Sequence, residues 1–508
     1  MARSWAERCA SIVVLAGAGV LAPAAAHPPP APGLFFSHHP HMRAAPVVFV
    51  VLDELPLVSL LDRRGTIDEK LCPGVARLAR MSAWYRNATT PQTFTKEALP
   101  ALLTGSYPIR RVGETFEYPR NLFSLLGATY EIRAANVPPN LCPPELCDAP
   151  IRPPPVQRFR GFGGGEKAAL FFSFLSGLER PDRPRLHFLH LVFPHGPWRY
   201  LPSGQRYYEV DPMPGEVDRR GRGRSWRRDG WLVAQGYQRH LMQVRLADRL
   251  VDALLVRLKR TGLLHDAVVV VTADHGIGWE PGLPKRLPHE RTAATLAGVP
   301  LFVKAPGQRV GWVSRTPVES VDVLPTLADI LGVETWPDVD GLSLWAHAPR
   351  RARPRAVVDV PIEGFGRQLK RAAREKHELV GRNLWRVAPG ESEELVGLTE
   401  AELSIAPPGK VTAHASAVET LVRADPQGDE FPAFFEGLLE GVPFRRRPRV
   451  AVMVDGRIAA VTRSYESSGL KWFGAMLRPG LFGPHEERVE LFLVDDVGGR
   501  ALTELPLE

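Results

Sequence analysis

The sequence predicts an α/β fold: a mostly parallel sheet sandwiched by helices, followed by a small C-terminal β module. Three observations predict it. Continuous apolar runs of strand length recur at 47–52, 186–193, 267–272 and 301–304. Unbroken apolar character marks strands covered on both faces. Helical patterns lie between them, the clearest from about 233 to 261, with Val244, Ala247, Val251, Leu254 and Leu258 at three- and four-residue spacing. It stops near Gly262 and a strand follows at once, and strands alternating with helices give a parallel sheet. After about 345 the texture changes to short alternating runs. Asp455-Gly456 between 450–454 and 458–462 is a hairpin signal, and 489–494 supplies another strand, so a sandwich is expected there.

Composition bounds the rest. The 508 residues suggest two to four domains at about 150 residues each. With 44% hydrophobic and 24% charged residues, disorder as a whole is excluded. No uncharged apolar run of membrane-spanning length follows the first 30 positions, which excludes a multi-span membrane protein. Pro and Gly make nearly a fifth of the chain, against a coiled coil or a long-helix array. The net charge of +8 is modest for this length and permits anionic substrates or surfaces without demanding them.

Residues 1–26 read as a signal peptide or N-terminal anchor: Arg3 and Arg8 precede the apolar stretch 10–22, and Ala24-Ala25-Ala26 offers a cleavage site. The expectation is an exported chain, extracellular, periplasmic or attached to the outer face of the membrane. Residues 27–45 are a Pro- and His-rich linker, 46–345 the catalytic domain, 346–445 a connecting region of poor periodicity, and 446–508 the β module. In an exported protein Cys142 and Cys147, flanking Pro-Pro-Glu-Leu, are expected to form a local disulfide. The alternative, two metal-binding thiols, lacks a nearby His or second Cys pair. Cys72 is expected to be a buried small apolar residue.

In such sheets chemistry collects at the carboxyl ends of the strands. Three of the apolar runs end in polar residues: Asp53-Glu54, then Pro194-His195-Gly196-Pro197, then Asp274-His275-Gly276. Adjacent carboxylates repel unless a cation or proton lies between them. Asp53, Glu54, Asp274 and His275 are an O/O/O/N set suited to one divalent metal such as Zn, Mn or Ca. The alternative is a set of unrelated caps and turn residues. Thr95 precedes a helix expected to start near Leu99 or Pro100. It is either a plain N-cap or, beside a metal, a nucleophile. Lys96 is a candidate anion contact or a solvated lysine, and His289 is placed in the loop after Asp274, within reach of the site. His187 and His190 fall inside their strand, on opposite faces, so both are expected to be structural. Arg219, Arg220, Arg222, Arg224, Arg227 and Arg228 surround Trp226. In an exported chain this is a solvated loop, or a contact for anionic lipid or envelope glycan, rather than a nucleic-acid site.

The ordered set Leu52-Asp53-Glu54, Thr95 with Leu102-Leu103-Thr104-Gly105, His195-Gly196-Pro197 and Thr272-Ala273-Asp274-His275-Gly276 resembles the sulfatase branch of the alkaline phosphatase superfamily. Val299-Pro300-Leu301-Phe302-Val303, Asp322-Val323-Leu324-Pro325-Thr326 and Asp340-Gly341-Leu342-Ser343-Leu344 fit too, so the resemblance covers roughly 46–345. It implies an α/β/α fold, a metal held by Asp53, Asp274, His275 and Glu54, and a covalent ester intermediate. The departure is at the nucleophile. Sulfatases resemble Cys-x-Pro-Ser-Arg there, the Cys or a Ser being oxidised to formylglycine, whereas this chain reads Thr95-Lys96-Glu97-Ala98-Leu99. A Thr nucleophile is similar to that of the phosphoethanolamine and phosphoglycerol transferases of bacterial envelopes. His195-Gly196-Pro197-Trp198-Arg199-Tyr200 is similar to a substrate-site phrase of the former. Those relatives carry several N-terminal membrane helices, and no such runs stand in this sequence.

The resulting expectation is an exported metal-dependent phosphoester hydrolase or phosphotransferase acting through a Thr95 ester, with His195 donating to an equatorial oxygen or the leaving group. The alternatives are a sulfuric ester hydrolase and a non-catalytic envelope binding protein. The partner is an anionic ester, with an envelope lipid or glycan and a membrane surface as candidate contexts and no nucleic acid. Oligomeric state is left open.

Overall fold

Strand β1 (Val47–Asp53) is buried at every position. Successive side chains of a strand point to opposite faces, so both faces of the sheet are covered here. In the computed structural model, residues 45–108, 118–136, 141–147, 166–180, 182–207, 213–218, 224–345, 356–380, 383–385, 393–415, 418–443, 445–483, 487–495 and 500–507 are described. The expected signal or anchor and nearly all of the linker lie outside them, as do Arg219, Arg220 and Arg222.

The central sheet adds β2 (Ala83–Tyr85), β3 (Glu131–Ala135), β4 (Arg185–Pro194), β5 (Val268–Ala273), β6 (Leu301–Lys304) and β7 (Trp312–Ser314), in the order β7-β2-β6-β5-β1-β4-β3. Its pairs are parallel except at β6, which runs antiparallel to both neighbours. The fold is therefore mixed α/β with a mostly parallel sheet. At one register β1 lies between β4 and β5, with Val51 opposite both His190 and Thr272.

Helix α1 (Thr95–Thr104) begins four residues earlier than expected, with Phe94 as N-cap and Pro100 in its second turn. The proline is tolerated there because the carbonyl that loses its partner is that of Lys96, an exposed residue that water can serve. Helix α2 (Gly230–Thr261) starts at Asp229, whose side chain accepts from the Trp231 N–H, and stops at left-handed Gly262. Helices α3 (Val323–Leu331) and α4 (Phe365–Val380) follow.

The C-terminal β module has two sheets. One takes β8 (Ser404–Ala406), β11 (Arg449–Val454), β12 (Arg457–Arg463), β15 (Val489–Val494) and β16 (Ala501–Leu505); the other takes β9 (Thr412–His414), β10 (Phe434–Glu440), β13 (Tyr465–Ser467) and β14 (Leu470–Met476). Phe435 and Phe473 from one and Val450, Val452 and Leu491 from the other share one core. The β11–β12 hairpin turns on Asp455 and Gly456, both at positive φ, as a two-residue primed turn requires. Three of these strands precede residue 446, so the sheets draw on the stretch whose periodicity was too weak to read. Met242 of α2 joins the same core, and Gln235 of α2 donates to Thr462 Oγ1 (3.3 Å) and the Gly474 carbonyl (3.0 Å). Cys142 and Cys147 are disulfide-bonded, and Cys72 is buried and free. No helix among the described residues is long and apolar enough to cross a membrane.

Candidate active site

Three adjacent central strands deliver three ligand-type side chains to one place. Asp53 is the last residue of β1, Asp274 follows β5, and His190 lies in β4 opposite Val51. Paired residues of a parallel sheet share a face, and Val51 and Asp53 share one by the two-residue period, so His190 lies on the side of Asp53. Ligand atoms of Asp53, His190 and Asp274 all fall within 4.8 Å of one another, and all three residues are buried. This corrects the expectation that His190 is merely structural: strand position set its depth, but the imidazole reaches along the face to within 3.4 Å of Asp53 Oδ2. Asn136 holds it from behind, donating from Nδ2 to the His190 carbonyl at 3.0 Å. His187 faces the other way, edge-on to Phe174, and burial pushes its pKa down to about 4.

His275 and Thr95 adjoin this group. His275 Nδ1 is 2.9 Å from the Gly276 carbonyl, which assigns the proton to Nδ1 and leaves Nε2 with its lone pair. That Nε2 lies 3.6 Å from Asp274 Oδ2 and 3.4 Å from Thr95 Oγ1. The Thr95 hydroxyl thus has an acceptor for its proton at the first turn of α1. The free backbone N–H groups of that turn favour an incoming anion.

Glu54 departs from the expected ligand set. Its φ of 58° puts it in the left-handed region, a strained conformation costing about 1–2 kcal/mol for a residue with a Cβ. The turn sends its carboxylate away from the metal-type group and onto Arg286, whose Nε donates to Oε1 at 2.8 Å. Gly196 N–H donates to Oε2 at 3.2 Å, and the Glu54 N–H donates to Asp274 Oδ1 at 3.1 Å, so three contacts hold the strained residue. Arg286, with no signal in the sequence, also approaches His195 Nε2 at 2.6 Å and lies 5.7 Å from the Phe94 ring, one residue before Thr95. His195 Nδ1 contacts the Gly196 carbonyl, so its Nε2 is the acceptor for Arg286.

Burial works against charge throughout. It pushes the Glu54 carboxyl up, but Arg286 outweighs it and holds that group well below the usual carboxylate range. At Asp53 burial is outweighed by His190, His195 and His275, so its carboxyl is held low. At Asp274 burial wins, Asp53 adds to it, and the carboxyl is raised. Asp53 Oδ1, Asp274 Oδ2 and His190 Nε2 are buried with no hydrogen-bond partner among the described residues. Two orphaned carboxylate oxygens and one orphaned imidazole nitrogen are what a divalent cation satisfies, so the donor set fits one.

The remaining expected site residues are at the surface. Lys96 is exposed and pairs with Glu97 at 3.3 Å. His289 is exposed, and its Nδ1 accepts from the Arg291 N–H at 3.2 Å. Trp226 is fully buried, stacked with Trp198 at 6.3 Å, so it is no aromatic platform for a polyanion.

Residues 47–333 match the Sulfatase family model. Human N-acetylglucosamine-6-sulfatase is 26% identical over 197 residues, 35% of this chain and 34% of that protein. Choline-sulfatase of Rhizobium meliloti (strain 1021) is 33% identical over 117 residues, 22% of each chain. Among solved structures, the phosphonate monoester hydrolase SpPMH from Silicibacter pomeroyi is similar at 17% identity and TM-score 0.45, covering 61% of this chain and 78% of that one. The chain spans about a third, or less, of the length of these curated relatives. The family match extends over more than half of the present sequence, from β1 to just beyond α3, and on that ground the chain belongs to the Sulfatase family.

Proposed function

We propose that the protein is a metal-dependent hydrolase of sulfuric or phosphoric esters with Thr95 as its nucleophile. The observation that carries this reading is Thr95 Oγ1, 3.4 Å from His275 Nε2, beside the buried Asp53, His190 and Asp274 group. Asp53, Asp274 and His190 would hold the divalent ion, which would supply Lewis-acid charge to a bound oxyanion, and His275 Nε2 is left to accept from Thr95. Thr95 gives its proton toward His275 Nε2 and attacks sulfur or phosphorus in line. The new O–S or O–P bond forms as the bond to the leaving oxygen breaks. Arg286 and the first turn of α1 stand where they would bind the non-bridging oxygens. His195 Nε2, which accepts from Arg286, would hold that guanidinium toward the bound ester, and the leaving oxygen would take its proton from solvent water. Water then clears the Thr95 ester; an acceptor alcohol in its place would make the enzyme a transferase.

The curated relatives named above are sulfatases, which favours a sulfuric ester as substrate. One observation favours the phosphoester reading: Thr95 stands where formylglycine would be required, and Thr cannot be converted to it. Export is supported by the basic-then-apolar start of the chain and by the Cys142–Cys147 disulfide. An envelope lipid or glycan substrate is consistent with that location.

The test is turnover of an aryl sulfate, an aryl phosphate and an aryl phosphodiester by the full chain loaded with Mn, Zn or Ca, beside Thr95→Ala. Sulfate turnover lost in Thr95→Ala establishes a Thr-dependent sulfatase. Phosphoester turnover lost in the variant establishes the second reading. Turnover that survives the substitution overturns the Thr95 mechanism.

A further inference from the structure

A second buried charge lies away from the catalytic edge, in a cavity of about 400 Å³ between the first turns of α2 and the C-terminal sheets. Its charged lining is of one sign: Arg239, Arg449, Arg457, Arg463 and Arg478, with no Asp or Glu among the described residues that line it. Arg239 is 2% exposed, and its Nε and Nη2 have no hydrogen-bond partner among the described residues. Its guanidinium lies 4.5 Å from the Phe434 ring centroid. The carboxylates of Glu216 and Glu436 attract it through space but form no ion pair with it, and Glu216 is already taken by Arg224 and Lys285. Arg463 pairs with Asp229 at 3.6 Å, and its Nε is buried with no hydrogen-bond partner among the described residues. A guanidinium cannot shed its proton to escape burial, so an anion must be supplied or the charge stays uncompensated.

The remaining walls suit an organic body. Trp231, Trp385, Phe434 and Met476 line the same cavity, and its volume is that of a small-ligand pocket. Asp53, Thr95, His190 and Asp274 do not line it, so it is separate from the catalytic group.

We propose that this cavity is a binding site for a small organic molecule bearing a tetrahedral oxyanion, phosphate or sulfate, with Arg239 as the buried anchor and Arg463, Arg457 and Arg478 completing the clamp. Planar guanidinium groups match such oxyanions with paired, charge-assisted hydrogen bonds. Trp385 and Met476 would take the apolar body.

The test is hydrogen exchange and calorimetry on the full chain with phenylphosphonate and benzenesulfonate, which the catalytic site cannot hydrolyse, against sodium chloride at equal ionic strength. The expected result is slowed exchange at 457–463 and 474–478 with one or both oxyanions and not with chloride; the stronger probe names phosphate or sulfate. Arg239→Met is expected to weaken this binding about tenfold to a hundredfold. It should also raise the melting temperature without ligand, because a buried uncompensated charge is removed; a merely structural arginine would lower it. Arg457→Ala with Arg478→Ala, at exposed positions, should weaken binding several-fold with the fold intact. No protection at these segments, equal protection by chloride, or protection undiminished in both variants would overturn the proposal.

Discussion

The carboxyl edge of the central sheet and the cavity at the head of α2 are electrostatic opposites. The first buries carboxylate oxygens and an imidazole nitrogen that lack a hydrogen-bond partner among the described residues, and the second buries guanidinium nitrogens that likewise lack one. Beside the first, the buried Glu54 carboxylate has its partner, the half-buried Arg286, at 2.8 Å. Burial of charge alone therefore does not mark a binding site. On the two proposals above, burial with the partner missing does, and the sign of the missing partner gives the ligand class: a metal at one place, an oxyanion at the other.

That contrast is exposed to substitution. The largest expected effect is at Thr95. Thr95→Ala should lower turnover at least about a thousandfold and leave metal content unchanged, read by steady-state kinetics and elemental analysis. Loss of metal in this variant would make Thr95 a ligand before a nucleophile. Next come Asp53→Asn and Asp274→Asn, which should abolish tight metal binding. Chelation should lower the melting temperature of the native protein by several degrees and leave that of the variants unmoved, because a ligand stabilises only the state it binds. Arg286→Met should cost about 2–4 kcal/mol of stability in chemical denaturation by leaving the buried Glu54 charge with only the Gly196 N–H as a direct contact. A loss below 1 kcal/mol would show that the pair is not what holds Glu54 in its left-handed conformation.

The smallest effect separates a lysine from an arginine. Lys304 is 1% exposed, its Nζ donates to the Ala305 carbonyl at 2.9 Å, and burial lowers its pKa to about 8. Because its folded-state pKa lies below the unfolded one, the folded state binds fewer protons between about 8 and the ordinary lysine value of 10.5. The penalty is full below pH 8 and fades as the pH rises toward the unfolded value. Lys304→Met should therefore stabilise by up to about 3 kcal/mol at pH 7, and the gain should shrink toward zero near pH 10.5. The gain from Arg239→Met should stay level over the same range, because arginine does not titrate there. Denaturation of both variants across this range checks the pair, and parallel curves would break the distinction.

How much of this the sequence carries follows from how each residue reaches its place. The placement of Asp53, Asp274 and His275 at one sheet edge was legible because they sit where buried strands end, and a continuous apolar run announces its own end. The direction of the Glu54 carboxylate was not: a left-handed φ turns it onto Arg286, and a sequence does not print φ. His190 was hidden because its role depends on pairing with β1, a contact between residues far apart in the chain. Arg286 comes from an irregular loop and left no pattern. Arg239 carries no mark in the sequence that sets it apart from the other charges of its helix, and only the β sheets packed over it bury it. The hairpin at Asp455-Gly456 was legible from two residues, since the turn chemistry is local, whereas the weakly patterned strands before 446 needed tertiary context.

The 32 residues of α2 are also a ruler. Gln235 and Arg239 face the C-terminal sheets, His240 Nε2 meets Ser59 Oγ at 3.0 Å, Gln243 donates to the Pro194 and His195 carbonyls, and Asp248 Oδ1 accepts from Val75 N–H at 2.7 Å. Each added residue turns a helix by about 100° and lengthens it by about 1.5 Å. One residue inserted or deleted between 239 and 243 would therefore swing one set of partners out of alignment with the other. Evolution can lengthen the loops on either side of this helix far more freely than it can lengthen the helix, and anyone joining these halves to another scaffold inherits the same phase condition.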